Sequence, residues 1–385
     1  MSSSVKRIAL LISEDLSFGR RILSGIHRYA RPRLSWVFRA ALPVPGILQP
    51  LADWHPAGII VQLHQRDLLE GLSQLDKPIV NISATHPDLT LPRVANDDRA
   101  TGALAARYFL DQQYAHLAYC GHRTDGASSL RQQGFCADAL LRGLHPRVFE
   151  YTTALPFQSS LSWMDEDLAA RQWLRSLPKP IGIFAYNDLI ALRLSEACHQ
   201  ENLRVPDEVA ILGVDNDELK CMMAYPPLSS IDLAAEQIGY QAAQLLDLLL
   251  AGAPPPERPT YFHPVRLVVR DSSNVLAARE PEVDAALQYI NAHAHEALHV
   301  EEIAQAVQVG RRWLERRFRQ VLQRSVGDEI RRQRIDRVKD LLQQSDDSLA
   351  DIAAATGFAN AKYLAITFKQ VTGMTPSAYR IGNKI

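Results

Sequence analysis

Along the first 270 residues, short apolar runs rich in β-branched side chains alternate with longer stretches whose apolar positions recur every three or four residues. Runs apolar throughout read as parallel strands buried on both faces, and the helical recurrence reads as amphipathic helices. Strands are predicted at Arg7–Ile12, Gly58–Leu63, Pro78–Ser83, His116–Gly121, Ile181–Asn187 and Val209–Val214, and helices at Gly19–Ala30, Arg99–Gln112, Ser129–Gly143, Asp188–Asn202 and Ala234–Ala251. Gly252-Ala253-Pro254-Pro255-Pro256 breaks the last helix, and Tyr261–Arg270 reads as a final strand. The pattern describes an α/β fold with parallel sheets. Ligands of such sheets sit beyond the carboxyl ends of strands, so the residues just past each run matter most.

From residue 271 the texture changes. Residues 271–283 hold Asp271-Ser272-Ser273-Asn274 and Pro281 and read as a linker, and 284–385 carries helical patterns only. Two segments there share one grammar. Val300–Gly310 is a short helix with Ile303-Ala304 inside and a glycine-containing turn, followed by a longer helix Arg311–Leu322. Leu349–Phe358, with Ile352-Ala353 and Gly357, is followed in the same way by Asn360–Val371. Each is a helix-turn-helix, whose second helix can lie in a DNA major groove.

A length of 385 residues suits two or three domains, and 47% hydrophobic with 22% charged residues suits sizeable cores. Net charge is −1, yet Arg311 to Lys339 holds 11 basic and 4 acidic residues, so a polyanion is expected at that segment alone. Leu314, Phe318, Val321 and Leu322 form a core stripe, and Arg312, Arg316 and Arg319 share another face beside Arg311. An arginine fork matches guanine O6/N7 or phosphate; the alternative is a solvated face. The apolar run after Lys6-Arg7 is too short for a signal peptide, and Ile238–Ala251 is interrupted by Gln241, Gln244 and Asp247. Cys120, Cys136, Cys198 and Cys221 match neither a zinc ribbon nor a disulfide scaffold. These features predict a cytoplasmic protein without membrane contact.

The C-terminal hundred residues, through Ala304, Gly310, Leu314, Phe318, Arg334, Leu341-Leu342, Ile352-Ala353, Gly357-Phe358, Phe368-Lys369, Gly373, Thr375-Pro376 and Tyr379-Arg380, closely resemble the AraC-type DNA-binding domain. The resemblance implies two recognition helices in successive major grooves of double-stranded DNA. By position, Arg312 and Arg316 match base-contacting sites. Their counterparts in the second unit are Ala361, Lys362, Ala365 and Ile366, near Lys369, where thymine methyls or DNA shape would be read.

Asn187-Asp188, Pro206–Asn216, Pro227–Ile231, Val94–Asp98 and Gly239–Ala243 resemble the LacI/GalR and periplasmic sugar-binding fold over nearly all of residues 5–270. That implies two lobes, with crossings expected near 112 and 232, closing on a small sugar. No helix-turn-helix precedes the first strand, so DNA binding is assigned to the C-terminus. Sugar hydroxyls need acids, amides and arginine in fixed geometry plus an aromatic plate. Candidates are Glu14, Asp15, Asn81, Asn187, Asp188 and Asp215 near strand ends, Arg131 by family position, and Phe18 and Trp163 as plates. The alternatives are helix caps for the polar residues and core packing for the aromatics. Gly213–Leu219 and Met222–Ser230 resemble bacterial regulators that answer to D-xylose, which implies a D-xylose-dependent activator. A homodimer on two half-sites, contact with RNA polymerase and no cofactor are expected. The other readings are a different sugar, a repressor, or a zinc hydrolase. The last would use His295, Glu296 and His299 of a literal HExxH, a motif that requires one continuous helix. A helix boundary between Ala297 and Val300 is expected to break it.

Overall fold

A computed structural model of the chain describes residues 5–32, 35–86, 88–152, 162–274, 280–296, 298–322, 324–345, 347–372 and 374–383. The chain divides into two units, Met1–Val275 and Leu276–Ile385.

The first unit begins with β1 (Lys6–Leu11), α1 (Ser17–Ala30), β2 (Trp36–Ala41), α2 (Leu48–Trp54), β3 (Gly58–Val61), α3 (Arg66–Ser73) and β4 (Ile79–Asn81). These strands form a parallel sheet ordered β2-β1-β3-β4, in register through Phe38, Ile8 and Gly58 and through Ile60 and Val80. Ile8, Ile59, Ile60, Val61 and Val80 are buried, as their unbroken apolar runs require. Then follow β5 (Val94–Asn96), α4 (Asp98–Asp111), β6 (Leu117–His122), α5 (Gly126–Leu140), β7 (Arg147–Tyr151), α6 (Ser162–Ser176), β8 (Ile181–Ala185), α7 (Asp188–Gln200), β9 (Val209–Val214), α8 (Glu218–Met223), β10 (Ser229–Asp232), α9 (Ala235–Leu250), β11 (Thr260–Phe262) and β12 (Arg266–Val268). A second sheet runs β12-β10-β9-β8-β6-β7, parallel except for β12. β5 pairs with β11 in a third, two-stranded sheet.

Pairing and packing fix where the chain passes between lobes. In the second lobe α4 lies against α5 so closely that a Cβ on Gly102 would stand 2.0 Å from the Arg131 carbonyl oxygen, and one on Gly134 2.0 Å from that of Arg99. In the first lobe α1 and α9 cross in the same way, through Gly25 against Glu236 and Gly239 against Ile22. Since α4 belongs to the second lobe, the first crossing falls at Asn96–Asp98, not near 112. The second follows β10, which ends at Asp232. A third lies between β11 and β12, which Tyr261–Arg270 had suggested as one strand. Four strands were missed in sequence: β2 and β7 lie at sheet edges with mostly uncovered residues and do not read as apolar runs, and β5 and β10 are buried but only three and four residues long.

The expected linker is anchored at its start. Ser272 and Ser273 are fully buried; Ser272 Oγ donates to the Ile211 carbonyl (2.7 Å) and accepts from Ser229 N (2.8 Å). Pro281 already opens the next helix, and 275–279 lie outside the described residues.

The second unit consists of helices among its described residues: α10 (Pro281–His293), α11 (Val300–Ala306), α12 (Arg311–Leu322), α13 (Val326–Gln344), α14 (Leu349–Ala355), α15 (Ala361–Thr372) and α16 (Pro376–Asn383). It has two cores. Val283, Ile290, Ile303, Leu314 and Phe318 pack with Val326 and Ile330 from the start of α13. Ile352, Leu364 and Phe368 pack with Ile335, Val338 and Leu342 from its remainder. α13 is therefore a strut shared by both helix-turn-helix units.

Candidate functional site

At the first crossing, Asp97 caps α4 by accepting from Ala100 N (2.9 Å), which sets Asp98 on the first turn, facing α5. Arg131 comes from α5 and is 5% exposed; its Nε donates to Asp98 Oδ1 at 2.8 Å and its Nη1 to the Tyr186 carbonyl. Burial pushes the Asp98 carboxyl above the usual carboxylate range, and Arg131 pulls against that rise. Asp215, just past β9, is half-buried and makes no side-chain hydrogen bond among the described residues; burial pushes its pKa up to about 7, opposed by Arg131. Its backbone has φ +101°, a conformation that L side chains rarely adopt and that recurs at functional positions. In the first lobe, Ser17 Oγ, Gln62 Oε1 and Asn96 Oδ1 are buried without a hydrogen-bond partner. They follow β1, follow β3 and end β5. Buried polar atoms are normally satisfied, so these three are candidate contacts for a polar ligand.

In the second unit, the turns preceding α12 and α15 each contain one left-handed residue, Gln308 (φ +56°) and Gly357 (φ +72°). In the first turn this residue is Gln308, two residues before Gly310. The basic block is largely paired by carboxylates of its own unit, some of them outside the block. Arg311 pairs with Glu301 and with Glu315 (3.1 Å), Arg317 with Glu280, Arg324 and Arg332 with the fully buried Glu329, Arg331 with Asp328, and Lys339 with Asp336. Arg334 donates to the carbonyls of Ala294 and Glu296, both at 2.7 Å. Arg312, Arg316 and Arg319 have no ion pair among the described residues. They are exposed and line one shallow concavity on α12 with Glu315 and Gln320. On α15, Lys362, Ile366 and Lys369 are exposed and Ala361 half-buried.

Comparison with known proteins follows the same division. Residues 106–273 match a periplasmic binding protein-like domain, and 303–381 match a helix-turn-helix domain. The xylose operon regulatory protein of Haemophilus influenzae is 25% identical over 99% of this chain and 100% of its own length. That of Escherichia coli is 26% identical over 97% of this chain and 96% of its own. A solved xylose-binding transcription activator superposes with a TM-score of 0.63 at 24% identity, covering all of both chains. This chain is a transcription regulator. It joins a periplasmic-binding-protein-like sensor to a C-terminal helix-turn-helix reader.

Within the regulator, the expected ligand residues part company. Arg131 and Asp215 come together electrostatically, joined by Asp98. Asn81 is committed to the backbone: Oδ1 accepts from Ser83 N (2.9 Å) and Nδ2 donates to Ser83 O (3.1 Å). Asn187 caps α7 by accepting from Ile190 N at 2.9 Å. Asp188 lies beneath the loop after β9, accepting from Ser230 Oγ (2.6 Å) and Asp217 N (2.7 Å). Phe18 packs into the apolar core with Ile22 and Ile26. Glu14 and Asp15 are exposed, and their carbonyls accept from Arg20. Trp163 lies on α6, with its side chain outside the described residues. Sequence reasoning passed over Ser17, which opens α1, and Gln62, Asn96 and Asp98, which lie at or just past the ends of β3 and β5, where that reasoning itself pointed.

The HExxH does not lie on one helix. α10 ends at His293, and His299 is the residue before α11, its N–H donating to Glu302 (3.1 Å). Among the described residues no cluster could hold a metal, and no helix is long and apolar enough to cross a membrane.

Proposed function

We propose that the regulator is a cytoplasmic, D-xylose-responsive activator without catalytic activity, working as a homodimer that engages RNA polymerase. The carrying observation is the buried Arg131–Asp98 pair at a lobe crossing, beside the unpartnered Asp215 carboxyl. Together with the unpartnered Ser17, Gln62 and Asn96 of the first lobe, these offer donors and acceptors for the hydroxyls of a neutral sugar. The full-length likeness to xylose operon regulators favours D-xylose among sugars. Residues 1–270 sense and 284–385 read DNA through Arg312, Arg316, Arg319, Lys362, Ile366 and Lys369, with Ala361 at the entry of α15. Arg311 steadies the helix through its two carboxylates. Sugar gates DNA binding only if it prefers the active arrangement; a hundredfold preference is worth about 2.7 kcal/mol.

Calorimetry with D-xylose and a panel of other sugars tests this directly. Saturable xylose binding, lost in Arg131→Ala and Asp215→Ala, is expected. Another sugar bound instead would replace the ligand and keep the sensor. Unchanged affinity in both variants would remove the site assignment. Transcription from a regulated promoter, with and without sugar, reads the sign.

A further inference from the structure

The two helix-turn-helix units of the reader can be set in register without appeal to any relative. Each turn has one left-handed residue, Gln308 six positions before Leu314 and Gly357 seven before Leu364, so the second turn is one residue longer and the register of the reading helices is taken from the helices themselves. The N–H of buried Leu314 bonds to the Gly310 carbonyl (3.0 Å), and that of buried Leu364 to the Asn360 carbonyl (3.1 Å). Phe318 and Phe368, four residues further on, are both fully buried. Counting from these leucines, Arg312 corresponds to Lys362, Arg316 to Ile366 and Arg319 to Lys369. On both helices the three positions follow one another at i, i+4 and i+7 and are exposed.

The central position thus holds a free guanidinium in one unit and a half-exposed branched alkyl group in the other, Ile366 at 49%. An exposed isoleucine between two lysines contributes nothing to the core of α15, which is closed by Leu364, Thr367 and Phe368. Its flanking cations suit a polyanion, and its own chemistry suits the one apolar group in the major groove, the thymine 5-methyl. The strut α13 has 19 residues and is about 28 Å long, close to the roughly 34 Å of one DNA turn.

We infer that the two reading helices divide each half-site by chemistry: α12 reads guanine with Arg312 and Arg316, and α15 reads thymine methyls with Ile366, one turn further along. This rests on the regulator reading proposed above. Lys362 and Lys369 then hold phosphates and carry no base preference.

The test starts from a library of randomised DNA duplexes selected with the full-length protein, with and without D-xylose. The enriched duplex is expected to carry guanine in one block and thymine in a block about one turn away. Replacing each thymine of the second block by deoxyuridine removes only the methyl, and should weaken binding about fourfold at the contacted base. In Ile366→Ala that penalty should vanish while the guanine block stays in force. Ile366→Arg, tested in a fresh selection, should exchange thymine for guanine at that step. A selected duplex indifferent to uridine, or one with guanine in both blocks, overturns the inference and leaves the regulator intact. Enrichment of no sequence under either condition overturns the DNA-binding reading and this inference with it.

Discussion

Arg131 in the sensor and Arg316 in the reader are the same residue under opposite conditions. Arg131 is buried, its guanidinium held by Asp98 and by a backbone carbonyl, so losing either partner leaves a buried charge uncompensated. Arg316 is exposed and unpaired among the described residues, so it adds little to folding and keeps its hydrogen-bonding capacity for another molecule. Burial makes an arginine part of a site's framework, whereas exposure without a carboxylate neighbour leaves it as a probe of something outside.

The sharpest way to break this contrast is Asp98→Ala. It strands a buried guanidinium and should cost about 3–5 kcal/mol, seen as a lowered denaturant midpoint for the sensor. A change below about 1 kcal/mol would mean that Arg131 is not framework. Gly102→Ala should cost about 1–3 kcal/mol by forcing α4 off α5 at the Arg131 carbonyl, and should weaken sugar binding along with stability. Arg316→Ala should cost about 1–3 kcal/mol of specific DNA affinity in a binding titration. The same variant should move the melting free energy by less than about 0.5 kcal/mol, and that pairing of results is what the comparison requires.

Asp215 sharpens the contrast through pH. Its folded pKa, about 7, lies above the unfolded carboxylate value, so the native state holds more protons between about pH 4 and 7. Stability therefore falls as pH rises through that window and levels off above it. Asp215→Asn should remove this contribution, so the difference in melting temperature between variant and parent grows in the variant's favour from pH 4 to 7. Parallel profiles would show that Asp215 does not titrate there.

The long helices α1, α4, α5, α7, α9, α12 and α15 and the strands β1, β3, β4, β6, β8 and β9 were legible because each repeats a period that burial enforces: Ile59, Ile60 and Val61 are covered on both faces, and Leu314 and Phe318 share one stripe. The edge strands β2 and β7 were not, because half-covered residues leave no such period, and β5 and β10 are too short to show one. Of the candidate site, Arg131 and Asp215, which lie together electrostatically, could be named from position and chemistry. Asn81, Asn187 and Asp188 were indistinguishable from them in sequence, since a side-chain oxygen past a strand serves backbone and ligand equally well. Only the geometry shows which oxygens already have donors. The crossing at Asn96–Asp98 was displaced in sequence because a helix carries no mark of the lobe it packs on.

The internal pairing of the reader's basic block carries over to salt dependence. Binding to DNA releases roughly 0.9 counterion for each phosphate that a protein neutralises. Eleven cations between Arg311 and Lys339 would suggest a steep loss of affinity with ionic strength. With Arg311, Arg317, Arg324, Arg331, Arg332 and Lys339 held by carboxylates and Arg334 by carbonyls, few remain to displace condensed ions. The reader's hold on arbitrary DNA should then be shallow in its response to salt, and the more easily outweighed by a correct sequence.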